Sequence, residues 1–363
     1  MAAAMLISIA ASPASAESFL DVFRDPADGW LDSGNWLLNK RGFLPVPIII
    51  TEPAVGYGGG AALMFFHRTK QDEARSESGE PLGLPPSVST AFGGATENGT
   101  WFAGGGNFTT AFGDRLRVTG GGGGSVNIAF YPNDQAVDFN LEGGLFYVRG
   151  EARIKQTNLF LGASYRYSRI TATRQGGPAL LPDEKKSDIG GLGISAHWDG
   201  RDSIFSPTSG QDFTVAAMFH EPWLGGDTSW QQLGYKLRSY HPMFDRLVVG
   251  VRMDGKAVWN DVPFYNKPYV ELRGVPAMRY QGDAAGEGEI EVLVRTWKRI
   301  SVVGFFGLGW AAGDDVADNG PIVAGGGGIR YLLARQLGLQ TGIDVARGPE
   351  ETAFYIIVGA AWL

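Results

Sequence analysis

Cysteine is absent from the 363 residues, which excludes disulfides, thiolate metal sites and cysteine nucleophiles. Histidine is scarce. His67, His197, His220 and His241 stand far apart, and none falls in a spacing such as HExxH that would set two ligands on one helix face. They are read as isolated polar side chains, so no metal or other cofactor is expected. Charged residues make up only 19%, and the net charge of -7 gives no support for nucleic-acid binding. Catalysis is not expected. Beyond the first residues, no apolar run reaches the roughly 18 residues that a membrane-spanning helix needs.

Glycine, by contrast, is abundant, at 54 residues, and aromatics reach 12%. The glycines follow no Gly-X-Y period, which excludes a collagen-like chain. Spread among aromatics over the whole length, they suit a barrel, where small residues let strands curve and aromatic rings mark lipid interfaces. The first sixteen residues read as a secretory signal: an apolar run through Leu6 and Ile9, then Ala14 and Ala16 at small-residue cleavage positions before Glu17. No Lys or Arg precedes that run, a departure from the usual pattern. Residues 17–42 form a short lead, too small for a domain, with room for one short helix near 32–39. Residues 43–363 form the remaining domain.

From Phe43 onward the hydrophobic period is two. On 158–169, Leu159, Leu161, Ala163, Tyr165 and Tyr167 alternate with Phe160, Gly162, Ser164, Arg166 and Ser168. The same alternation sets Met253 and Trp259 against Arg252 and Lys256, and Ile343 and Val345 against Asp344. A soluble sandwich and a membrane barrel both alternate in this way. Segments of ten or more residues, with aromatics such as Phe65, Phe130, Trp259, Trp310 and Trp362 near their ends, favour the barrel. The period predicts strands at 54–67, 87–96, 100–112, 115–131, 137–154, 158–173, 188–203, 211–223, 228–242, 246–260, 286–297, 300–312, 321–334, 337–347 and 352–363. Fifteen is odd, whereas bacterial single-chain barrels have even counts. Residues 46–51 supply the sixteenth, although Pro45 and Pro47 cannot donate ladder hydrogen bonds. The expected fold is therefore all-β, a sixteen-stranded antiparallel transmembrane barrel. Its parity puts 174–187 and 271–282 outside and 68–86 in the periplasm. Gly120 to Gly124 lacks the lysine of a phosphate loop and reads as strand.

One connection stands apart. Residues 271–282 carry Arg273-Gly274, Pro276, Arg279 and Tyr280, where a surface hairpin loop is usually small and polar. In the strand after it, period two puts Glu289 and Glu291 on the face shared with Arg295. This loop, the Trp198-Asp199-Gly200-Arg201-Asp202 run with Pro207 and Gly210, and Gly327-Gly328-Ile329-Arg330-Tyr331 resemble the bacterial surface antigen barrels that include the BamA and TamA assembly factors. The resemblance covers about residues 43–363.

It implies a sixteen-stranded outer-membrane barrel whose loop 6 folds inward, with Arg273 and Gly274 held by Glu289 and Glu291. The family usually carries an Asp on the following strand, where this chain has Gly307, so the lock is expected to rest on the two glutamates alone. The lead leaves no room for a POTRA domain, and the sequence ends on Ala361-Trp362-Leu363 instead of an aromatic residue. The expected role is outer-membrane protein assembly or translocation; a passive pore or a structural surface antigen is the alternative. Outer-membrane lipid, a client or periplasmic protein partner and a monomeric state are expected, and the inward charges Arg166, Lys236, Arg238, Arg252, Lys256 and Asp344 are read as filling of a wet lumen.

Overall fold

A computed structural model describes residues 23–25, 28–34, 43–67, 87–111, 116–121, 123–313, 320–335 and 338–362. The signal-peptide reading, the connection 68–86 and all but the start of the expected lead helix fall outside the described residues. The strands are β1 (Phe43–Ile50), β2 (Gly58–His67), β3 (Ser87–Thr96), β4 (Trp101–Ala111), β5 (Leu116–Gly121) and β6 (Gly124–Phe130). Next come β7 (Val137–Arg153), β8 (Leu159–Gly176), β9 (Glu184–Asp199), β10 (Gly210–His220), β11 (Trp230–Phe244) and β12 (Leu247–Asn260). The series ends with β13 (Ala284–Trp297), β14 (Ile300–Ala312), β15 (Ile322–Ala334), β16 (Leu339–Arg347) and β17 (Thr352–Val358).

The seventeen strands among the described residues belong to one sheet, and the pairings are antiparallel and follow chain order. The sequence predicts sixteen, and the difference lies at 115–131. That segment is two strands, β5 and β6, and both pair with β4 and β7. The break falls in the glycine run. Gly123 adopts a φ of 99°, and a Cβ there would meet the Ala103 carbonyl oxygen at 2.8 Å.

Alternation is clearest on β14. Ser301, Val303 and Phe305 are buried, whereas Val302, Phe306, Leu308 and Trp310 are exposed. The exposed apolar row continues onto β13 with Ile290, onto β15 with Ile329, onto β16 with Ile343 and onto β17 with Phe354. An apolar surface running over neighbouring strands is far more than a soluble protein leaves in water, and it fits a hydrocarbon surround. The opposite face carries Arg252, Asp254, Glu287, Glu289, Arg330 and Asp344, all buried. The sheet curls until β17 and β1 lie side by side, yet among the described residues no paired register joins them.

One end of the sheet gathers the longer connections. An apolar cluster there joins Phe130, Val137, Phe139, Ile189, Trp230 and Tyr265. Phe130 is therefore not an interface ring, as its place near a strand end suggests. It is 1% exposed and packs edge-on against Phe264, with ring centroids 4.9 Å apart. At the other end residues 23–25 and 28–34 dock beside the tight β13–β14 turn. Asp28 and Asp32 lie 2.6 Å from the guanidinium of Arg299, Asp25 joins them, and Trp30 packs on Trp297. Three carboxylates on one guanidinium fix this lead to the sheet.

Candidate functional site

The segment between β12 and β13, residues 261–283, does not project from the sheet. Val270, Leu272, Val275 and Tyr280 form a second buried cluster with Ile322 and Ala324 of β15. The segment thus lies across the polar face of β12 to β16. Gly274 turns the chain with a φ of 90°, and a Cβ there would fall 2.9 Å from the Gly348 nitrogen, so this contact admits only glycine. Its amide donates to the Tyr355 hydroxyl at 2.9 Å.

Arg273 is buried and carries the centre of the site. Its Nη2 donates to Glu289 Oε1 at 2.6 Å and lies 2.9 Å from Glu291 Oε2. Its Nη1 donates to Asp344 Oδ2 at 2.7 Å, and the guanidinium stacks on Phe305, with Cζ 3.5 Å from the ring centre. Burial opposes charge on this side chain, but the carboxylates outweigh it and hold its pKa above the ordinary arginine value. Arg330 shares Asp344, with Nη2 2.9 Å from Oδ2, so three carboxylates are balanced by two guanidinium groups and further N–H donors.

Asp344 corrects the expectation that the two glutamates act alone. It comes from β16, 71 residues away from Arg273 in sequence, and no local spacing signals the pairing. The structure also explains Gly307. A Cβ there would lie 2.7 Å from Leu272 Cδ2, and one on Gly309 would lie 2.3 Å from Val270 Cγ1. Where the family pattern places an acid, this chain leaves space for the apolar side of its loop, and the third carboxylate comes from two strands further on.

Two supporting contacts hold the loop entrance. Lys256 Nζ donates to Glu271 Oε1 at 2.6 Å, and Arg252 reaches the Glu271 carbonyl at 2.8 Å and Glu287 Oε1 at 3.0 Å. Farther along, the Ala277 amide donates to Glu52 Oε1 at 3.0 Å, Arg279 lies 2.6 Å from Asp134, and the Tyr280 hydroxyl donates to Glu350. Burial and the Glu350 carboxylate push the Tyr280 phenol up to about 12.

Trp362 overturns a further expectation. Period two extends the last strand to 363 and makes this ring an interface aromatic. Instead β17 ends at Val358, Gly359 turns with a φ of 88°, and residues 359–362 run over the polar face. Trp362 Nε1 donates at 2.5 Å to Glu289 Oε1, the oxygen that also holds Arg273. Arg238 Nε donates to the Trp362 carbonyl at 3.3 Å, and the ring covers Gly250, where a Cβ would be 2.9 Å away. The segment that follows β17 is thereby joined to the loop clasp through one carboxylate.

A separate charged group lies on β9 and β10. His197, Asp199 and Asp212 have ligand atoms within 4.8 Å of one another. Arg117 and Arg201 already lie 2.8 Å and 2.9 Å from Asp199, Arg201 lies 2.6 Å from Asp212, and His197 reaches Glu151 at 3.1 Å. A divalent cation would have to displace those guanidinium groups, so the donor set suits an ion-pair network better than a metal. Asp202, from the same tryptophan-led run, accepts from the Thr208 and Ser209 amides and closes the β9–β10 turn.

The family model for the Omp85 superfamily domain matches residues 108–271. Among solved structures, the chain is similar to BamA from Haemophilus ducreyi lacking POTRA domains 1-3, with a TM-score of 0.60 at 11% identity over 88% of this chain and 70% of that one. CdiB from Acinetobacter baumannii gives 0.60 at 8% identity, over 87% of this chain and 60% of its own. CdiB from Escherichia coli gives 0.59 at 10% identity, over 87% and 62%. The chain therefore spans less than two thirds of either CdiB. No curated protein matches its sequence. Residues 108–271 thus match the Omp85 superfamily domain, within a sheet that has the fold of the BamA and CdiB barrels.

Proposed function

We propose that the chain is a BamA/TamA-like barrel of the bacterial outer membrane that assists the assembly or translocation of other proteins at the seam between β17 and β1. The observation that carries this reading is the seam. Neighbouring strands elsewhere share a paired register, whereas β17 and β1 adjoin without one among the described residues. Pro45 and Pro47 on β1 have no amide hydrogen to offer a ladder. An unpaired edge beside lipid is a place where an incoming strand can add.

In this reading β5 and β6 count as one stave, the barrel has sixteen, and residues 261–283 are loop 6 folded into the lumen. Arg273, Gly274, Glu289 and Glu291 form its lock, with Asp344 as an added member. The barrel is a lipid-embedded monomer without catalytic chemistry, and its partner is a client polypeptide or a periplasmic protein. A native background without cysteine makes the test clean. One cysteine at Ile48 or Ile50 and one within 353–358 are oxidised in cells, and the profile of other outer-membrane proteins is measured. The profile is expected to change both on deletion of the protein and on closing the seam. If deletion changes it and a closed seam does not, work at the seam is excluded.

The alternative, a passive pore, draws support from Lys236, which is exposed on the polar face. A structural surface antigen is the remaining possibility, and it predicts no change in the profile on deletion.

A further inference from the structure

Most inward-facing arginines among the described residues have acidic partners. Arg117, Arg149, Arg201, Arg252 and Arg330 each reach a carboxylate. Arg166, in the middle of β8, reaches none among the described residues, and its Nε is enclosed without a hydrogen-bond partner in the protein. A partly dehydrated guanidinium without a counter-charge is a costly arrangement, and it is rarely kept without a role.

The neighbours repeat the pattern. Arg166 pairs in register with Gly191 of β9, and Gly191 pairs with His220 of β10. Gly191 contributes no side chain, so the His220 ring leans over it: Nε2 lies 2.7 Å from where a Cβ would stand. The imidazole thus reaches toward the strand that bears Arg166. His220 is 0% exposed, stacks on Trp230 at 3.6 Å, and has neither ring nitrogen bonded. The Ser168 hydroxyl, two residues along β8 on the same face, and Trp230 Nε1 are likewise enclosed and unbonded. Three residues, His220, Ser168 and Trp230, therefore present unmatched polar groups beside the uncompensated positive charge of Arg166.

We propose that Arg166 and His220 form a binding site for a small oxyanion, a phosphate or carboxylate group, on the polar face of β8 to β10. The guanidinium supplies the charge and a planar pair of donors. The imidazole N–H and the serine hydroxyl supply one further donor each. Water alone can satisfy the hydroxyl and the ring nitrogens, but it leaves the charge on Arg166 unmatched. The glycine at 191 leaves the space that the His220 ring enters on the side toward β8.

The full chain, folded in detergent micelles, is titrated calorimetrically with inorganic phosphate and separately with acetate at constant ionic strength. Saturable binding of one or both anions is expected. Arg166→Gln should weaken it roughly tenfold or more, the loss expected for a charge-assisted hydrogen bond, and Arg166→Lys should retain part of it. His220→Phe keeps the stack on Trp230 and removes the ring N–H donor, and it should weaken binding as well. Migration of unheated samples on gels verifies that each variant is folded, and Arg166→Lys and His220→Phe remain as tests if Arg166→Gln does not fold. Absence of saturable binding for both anions, or binding unchanged by every variant that folds, would overturn the site and leave a hydrated polar patch.

Discussion

At the scale of single residues, Gly307 shows how a departure from a family pattern can be compensated in three dimensions. Gly307→Asp would restore the expected acid, yet its Cβ would sit 2.7 Å from Leu272 Cδ2 and beside the Glu289 side chain. Overpacking of this kind costs about 1–3 kcal/mol, and the added negative charge works in the same direction. The substitution should therefore lower the thermal unfolding midpoint, and adding Leu272→Ala should recover part of the loss. An unchanged or raised midpoint for Gly307→Asp alone would mean that the loop does not occupy this space.

Glu52 offers a pH test at the same scale. Burial raises its pKa even though the amides of Ala277 and Ala54 donate to it, and among the described residues no cation offsets the effect. An acid whose pKa is raised by folding stabilises the folded contact fully below its ordinary value of 4.5, and that contribution is lost as the pH climbs through the raised value. Amide exchange around Ala277, corrected for intrinsic rates, should be slower in mild acid than at neutral pH. Glu52→Gln keeps the acceptor oxygen and should remove the difference. Glu289 and Glu291 were legible as a pair because period two puts both on one face. Asp344 was not, because its meeting with Arg273 depends on the register of β13 through β16 and on a loop that crosses them.

At the scale of elements, alternation located most strands to within a few residues, since each strand has one face toward an apolar surround and one toward a polar interior. It could not show where a strand leaves the sheet. Trp362 satisfies the period and the expected interface chemistry, but Gly359 turns it inward and Glu289 and Arg238 hold it there. The glycine run at 120–124 hid another boundary, because residues without side chains carry no alternation. The inward segment gives a direct test. With a single cysteine at Ala361, thiol labelling should be slow in the native background and faster when Trp362→Ala or Gly250→Ala removes the ring or its place. Loss of the indole hydrogen bond to a carboxylate predicts an acceleration of roughly tenfold or more. Equal rates in all three backgrounds would show that residues 359–362 are not held by the Trp362 contacts.

For the whole molecule, these contacts form one system. The loop across β12 to β16 fills part of the interior, the apolar cluster caps one end, and the segment after β17 ties the edge beside β1 to the carboxylate that holds Arg273. A barrel filled in this way should pass little current in planar bilayers and flicker as the loop moves. Arg273→Ala would leave Glu289, Glu291 and Asp344 close together, with Arg330 as the remaining guanidinium among them. Removing one partner of a buried ion pair costs about 3–5 kcal/mol, enough to shift loop docking roughly a hundredfold or more toward the released state. Conductance should rise and become steadier, and cleavage by protease within 261–283 should accelerate in parallel. Large, steady currents that are the same with and without Arg273 would instead describe an open pore, with the clasp contributing nothing to closure.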